Sequence, residues 1–223
     1  EDKFGCEMAV TLHNPFDLKE AEALAERFVP QLPWTEGRIL VSMGREDPVK
    51  GFWHLIKSFA LVHETLPDTR LMIIGQGEYL PYKKLAAGLK IDDVVCFTGL
   101  KRNPYPYLKK SSLYVLTSYY EGFPNALVEA MALGVPAIAT DCMTGPGEIL
   151  EDRYGILVPN MSPDEDFDPQ NITEEERRLA QEIISLLKNE ERMAHYREMA
   201  LKRAGEYTTE AYTANIRRWA EEA

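Results

Sequence analysis

Six short apolar runs recur along the chain, at 38–44, 70–75, 94–99, 113–118, 136–140 and 155–159. Most are continuous rather than alternating: Ile39-Leu40-Val41 and Leu71-Met72-Ile73-Ile74 contain no polar residue. A strand with one wet face alternates with period two, so an unbroken run marks a strand covered on both faces. Amphipathic segments lie between the runs. The stretch 52–66 puts Leu55, Phe59 and Val62 on one helical face, and 79–89, 105–110 and 125–133 follow similar spacing. Strand alternating with helix predicts an α/β fold of right-handed βαβ units, with a mostly parallel, doubly wound sheet.

From about residue 164 the pattern changes. Ser162-Pro163-Asp164-Glu165-Asp166-Phe167-Asp168-Pro169 is an acidic, Pro-containing linker or insertion. It leads into 173–187, where Thr173 with Glu176 makes a capping-box signal. Helical patterns at 190–207 and 209–223 follow, and this strand-free tail can wrap the sheet or reach another domain. At the other end, Ala9-Val10-Thr11-Leu12 reads as a strand or linker. Asn14-Pro15-Phe16-Asp17 is turn chemistry, and Asp17 caps a helix expected to run to about Phe28. The expected organisation is thus a linker with an N-terminal helix at 1–36, a ligand-binding α/β domain at 37–160, and an acidic linker with C-terminal helices at 161–223. A length of 223 residues suits that arrangement.

A net charge of −11 argues against a nucleic-acid-binding surface. Cys6, Cys96 and Cys142 have no paired spacing, which favours a reducing, cytoplasmic location over a disulfide framework. Cys96 reads as core and Cys142 as an accessible loop residue. The histidines His13, His54, His63 and His195 are scattered, so no metal site is expected. No apolar stretch approaches the ~20 residues of a membrane span, and no signal peptide is visible.

In the common strand order 3-2-1-4-5-6, strands 1 and 4 are neighbours, and ligands bind beyond their carboxyl ends. The loop after the first run is Gly44-Arg45-Glu46-Asp47-Pro48-Val49-Lys50-Gly51. The loop after the fourth holds Glu121-Gly122-Phe123-Pro124-Asn125-Ala126-Leu127-Val128-Glu129 and turns into a helix. Arg45 and Lys50 beside a helix N-terminus favour a diphosphate, and Gly44 and Gly51 allow close backbone approach. Two carboxylates at such a mouth repel phosphate and suit neutral hydroxyl groups. Glu129 is placed to hold vicinal ribose hydroxyls. A ligand part phosphate and part polyol is a nucleotide sugar. Gly75-Gln76-Gly77 is a tight-turn signal without the third glycine of a dinucleotide fingerprint.

Gly44-Arg45, Lys50-Gly51, Glu121 to Ala130, Gly134-Val135-Pro136 and Gly155 together resemble the C-terminal half of retaining GT-B glycosyltransferases, family 4 or "group 1". The resemblance covers about 37–159 and extends loosely over the helical tail. It implies a Rossmann-like three-layer domain with a six-stranded parallel sheet plus C-terminal helices. It implies that Arg45 and Lys50 neutralise the donor diphosphate, Glu129 holds the ribose and Glu121 contacts the transferred sugar. The backbone of Gly122, Phe123, Asn125 and Ala126 would line the pocket, and Gly99 and Leu100 would face the base. On this resemblance Glu121, Arg45 and Lys50 form the catalytic set. The substrate would be a nucleotide sugar, first of all a UDP-sugar, with no cofactor or metal required. Transfer of a hexose or N-acetylhexosamine with retention, in polysaccharide biosynthesis, is the implied activity.

Asp141 to Leu150 resembles a stretch of bacterial polysaccharide and lipid-linked-oligosaccharide transferases, with Gly147 where that subgroup carries Arg. The family's N-terminal Rossmann domain, which takes the acceptor glycan or lipid-linked saccharide, has no counterpart here. The chain, opening at Glu1, is therefore expected to be a fragment that binds donor and transfers poorly by itself. The full-length enzyme would be cytoplasmic or peripheral at the inner face of the membrane. Trp219, on Tyr212-Ile216-Trp219 spacing, packs either on this domain or on the absent one. A GT-B-like nucleotide-sugar epimerase half and a non-catalytic Rossmann interaction module are the alternatives.

Overall fold

The structure, a computed structural model, describes residues 14–222. The stretch Ala9-Val10-Thr11-Leu12 and Cys6 lie outside the described residues. Six parallel strands, β1 (Arg38–Met43), β2 (Thr69–Ile74), β3 (Val95–Phe97), β4 (Leu113–Leu116), β5 (Ala137–Thr140) and β6 (Ile156–Val158), form one sheet. Their order is β3-β2-β1-β4-β5-β6, so the reversal falls between β1 and β4. Register there pairs Leu40 with Leu113 and Val41 with Tyr114.

The helices are α1 (Leu18–Ala25), α2 (Phe52–Thr65), α3 (Leu80–Gly88), α4 (Tyr105–Lys109), α5 (Asn125–Ala132), α6 (Gly145–Leu150), α7 (Glu174–Leu187), α8 (Glu190–Ala204) and α9 (Thr209–Glu222). Alternate residues of each strand feed opposite layers. Leu40, Leu71, Ile73 and Val115 pack with α2, α3 and α7. Ile39, Val41, Met72 and Leu116 pack with α4, α5, α6 and α8. This double cover is the physical reason the runs are unbroken, since each fully buried Leu, Ile or Val is worth roughly 1.5–3 kcal/mol.

The tail wraps the sheet. Leu179, Ile183 and Leu186 of α7 complete one apolar layer, and Ala200 and Ala204 of α8 complete the other. The capping box at Thr173 forms as expected, its Oγ1 accepting from the Glu176 N–H and the Glu176 carboxylate from the Thr173 N–H. Glu176 also reaches His54 Nδ1 at 2.8 Å, with both side chains buried. Lys57, fully buried, donates to Asp166 and to the Asn171 carbonyl, each at 2.8 Å. The acidic linker is thereby fastened to α2, whose first turns are covered on every side rather than on one face.

Several local readings change. The first helix stops at Ala25, short of Phe28. Residues 145–150 form a short helix that the sequence pattern does not pick out, since it opens with Gly145-Pro146-Gly147, poor helix formers. Cys142 is buried rather than accessible, and Cys96 is half-buried rather than core. Burial pushes both thiols upward, which leaves neither a ready thiolate. Trp219 is half-buried and Ile216 exposed on α9, which packs on the 3-10 turn Gly205–Tyr207. Phe16 N–H donates to the Tyr207 carbonyl at 2.8 Å, tying the first described residues to the end of the α8 region.

Candidate functional site

The loops leaving β1 and β4 are joined by hydrogen bonds. Thr117 Oγ1 donates to the Lys50 carbonyl at 2.9 Å, and the Tyr119 N–H to the Val49 carbonyl at 3.1 Å. Gly51 sits at the junction with φ +57°, and a Cβ there would lie 2.3 Å from the Thr117 carbonyl oxygen. Only glycine satisfies both the left-handed backbone and that approach. Asp47 fixes the turn before it. Its side chain caps the 3-10 turn Pro48–Lys50 through the Val49 N–H, and its other oxygen meets Arg45 Nη2 at 2.9 Å. Those two contacts, the backbone one first, hold the Asp47 carboxyl below its usual value.

Between the loops opens a cleft of about 780 Å³, within the ordinary range for small-molecule sites. Gly44, Arg45, Lys50, Glu121, Gly122, Asn125, Ala126 and Glu129 line it, so most of the residues picked from sequence come together. Helix α5 begins here without a side-chain cap, leaving its first N–H groups open at the cleft. Arg45 is largely exposed at the mouth, at 75%. The aliphatic part of Lys50 lies across Gly44, whose missing Cβ would sit 3.0 Å from it.

The carboxylates differ. Glu121 Oε1 accepts from Lys50 Nζ and from Ser118 Oγ, both at 2.7 Å. Its backbone is pinned as well, with Glu121 N–H donating to the Met143 carbonyl at 2.9 Å and Thr144 N–H to the Glu121 carbonyl at 2.6 Å. The Glu129 carboxylate has no hydrogen bond or ion pair among the described residues, and burial pushes its pKa above the ordinary value. A half-buried, unclaimed carboxylate carries unspent acceptor capacity, which suits paired hydroxyl donors.

Three expected residues stand outside the cleft lining. Gly99 and Leu100 lie on the loop after β3, the edge strand, with the loop after β2 between them and the cleft; the Gly75 N–H donates to the Gly99 carbonyl at 3.3 Å and Leu100 is exposed. The Phe123 ring packs edge-on against Tyr207 at 5.3 Å and faces a smaller neighbouring cavity of about 220 Å³. Sequence reasoning missed Asp47 and Ser118. Asp before Pro at a helix start is a readable capping signal. Ser118 offers none beyond its place two positions after β4.

Residues 25–203 match the family model "Glycosyl transferases group 1". The chain is 34% identical over 190 residues to an uncharacterized glycosyltransferase of Methanocaldococcus jannaschii, covering 77% of this chain and 47% of that one. It is 30% identical over 176 residues to the poly(glycerol-phosphate) alpha-glucosyltransferase of Bacillus subtilis, covering 78% of this chain and 24% of that one. The chain thus spans about half or less of the length of these relatives. Among solved structures, Anabaena HepE in complex with UDP and glucose superposes with a TM-score of 0.76 at 19% identity, over 95% of this chain and 56% of that one, which supports the fold. The chain belongs to the group 1 glycosyl transferases.

Proposed function

We propose that this chain is the donor-binding half of a retaining glycosyltransferase and that its cleft takes a nucleotide sugar, first of all a UDP-sugar. The observation that carries this reading is the convergence of two cations, an uncapped helix start and two differently held carboxylates on one cleft. On this reading Arg45 and Lys50, with the N–H groups of Asn125 and Ala126, bind the diphosphate. Glu129 accepts from the vicinal ribose hydroxyls, and Glu121 accepts from a hydroxyl of the transferred sugar. Gly99 and Leu100, on the loop after β3, face the base.

Catalysis follows from where charge develops. As the glycosidic C–O bond breaks, negative charge grows on the leaving diphosphate and positive charge on the sugar ring. Fixed cations and backbone dipoles stabilise the first. We place the retaining step on one face of the sugar, through an oxocarbenium-like transition state. It needs no metal, because Arg45, Lys50 and the α5 N-terminus supply the countercharge. Neither glutamate acts as an acid–base partner in this scheme.

The donor class is supported by Anabaena HepE, which holds UDP and glucose, and the transferase class by the B. subtilis glucosyltransferase. We infer transfer of a hexose or N-acetylhexosamine to a glycan or lipid-linked acceptor in polysaccharide biosynthesis. We assign the acceptor site to the further length its relatives carry, and place the whole enzyme in the cytoplasm or at the inner membrane face. Among the described residues no helix is long and apolar enough to cross a membrane.

Calorimetric titration with UDP, GDP and ADP tests the donor site. At least one should bind, and Arg45→Ala with Lys50→Ala should weaken it at least about 100-fold while the fold persists, since each charge-assisted contact is worth roughly 1.5–3 kcal/mol. No binding by any of the three at millimolar concentration, or full binding by the double variant, overturns the reading.

A further inference from the structure

Lys50 and Glu121, assigned above to different parts of the ligand, are bonded to each other in the cleft. Their side chains are only 20% and 12% exposed, so the pair is partly shielded from solvent. A diphosphate settling on Lys50 brings a second anion to the same ammonium. It weakens the hold of Lys50 on Glu121 and repels the Glu121 carboxylate at the same time. Something other than Lys50 must then keep Glu121 facing the sugar.

Ser118 has that geometry. Its hydroxyl donates to the same Glu121 oxygen at 2.7 Å, and the residue is fully buried two positions beyond β4 and does not line the cleft. Its carbonyl accepts from the Thr140 hydroxyl, which fixes it from the β5 side. A neutral donor buried there cannot be drawn off by phosphate. With Oε1 taken, Glu121 offers Oε2 to the sugar and reads a single hydroxyl. Glu129, with both oxygens unclaimed, is free to take a diol.

Resting on the donor-site reading, we propose that Ser118 is a positioning residue: it keeps Glu121 aimed at the transferred sugar once the diphosphate has taken Lys50. Its effect is confined to the sugar end of the donor. Binding of UDP alone does not use it, and binding of a UDP-sugar does.

Calorimetry of the parent chain and of Ser118→Ala, with UDP, UDP-glucose and UDP-N-acetylglucosamine as probes, tests this. The Kd for UDP should change less than about twofold. The ratio of the better sugar nucleotide's Kd to that of UDP should rise about tenfold, because without the serine Glu121 is pushed aside by the diphosphate and its charge-assisted bond to the sugar hydroxyl is lost. In a Glu121→Ala background the Ser118 change should add nothing to that ratio, because the serine acts through the glutamate. An unchanged ratio in Ser118→Ala overturns the inference, as does equal weakening of UDP and sugar nucleotides, or an effect that persists without Glu121. Parent chain that binds UDP but neither sugar nucleotide also overturns it. Parent chain that binds no nucleotide removes the donor-site reading itself, and this inference with it.

Discussion

Glu129 is held at a cost. Its carboxylate is half-buried with no donor among the described residues, and burial raises its pKa above the ordinary 4.5. A raised carboxylate pKa means the folded state favours the protonated form. The stability this confers is present below the ordinary value and is lost as pH rises through the folded value. Glu129→Gln is therefore expected to raise the thermal midpoint at pH 7 and leave it nearly unchanged at pH 4. The same change should weaken UDP binding about tenfold, the loss of charge-assisted bonds to the ribose. Stability against function is a common trade at such sites. Glu121 predicts the opposite sign for UDP. Removing it as Glu121→Ala frees Lys50 and removes a like charge beside the diphosphate, so UDP should bind at least about threefold tighter, since in a partly shielded pair both effects act at reduced solvent screening. Titration calorimetry checks both. That Arg45, Lys50, Glu121 and Glu129 line one cleft was legible in the sequence, because their two loops follow strands expected to be neighbours at the switch point. The Lys50–Glu121 bond was not, since the partners lie 71 positions apart and are joined only when β1 and β4 pair.

At the scale of elements, α7 is the informative case. Its capping box was legible because the signal is local, four consecutive residues from Thr173 to Glu176. The second task of Glu176, bonding buried His54 on α2, was not legible because it joins residues 122 positions apart. The two roles predict different magnitudes. Thr173→Ala should cost about 1 kcal/mol, the ordinary value of a lost cap. Glu176→Ala removes the cap's reciprocal bond and leaves the buried His54 Nδ1 without its partner, and should cost more, about 2–4 kcal/mol. Urea denaturation orders the two, and an equal cost would mean the buried pair contributes nothing. Helix α6 shows the converse. Two glycines and a proline are poor helix formers, yet a Cβ on Gly145 would sit 2.3 Å from the Gly122 carbonyl oxygen. The glycine is there to let α6 pass under the Glu121 loop, and tertiary packing overrides its poor helix propensity.

Across the whole molecule, the C-terminal helices are part of the sandwich. Because α7 and α8 each complete one apolar layer, a chain ended at residue 160 should lose its cooperative thermal transition, whereas one ended at Thr208, without α9, should keep it. Retention of a sharp transition in the shorter chain would show that the layers close without them. What the sequence by itself determined is the architecture: buried strands leave unbroken apolar runs, helices leave a 3.6-residue period, and their alternation leads to a parallel sheet with a crevice at its reversal. Those signals are local, written within a few residues of where they act. What only the tertiary structure decided is which charges meet, which carboxylate is left unclaimed, and where the acidic linker is fastened. Such contacts join residues far apart in the chain, and their energies arise only once the sheet has brought both partners out of water.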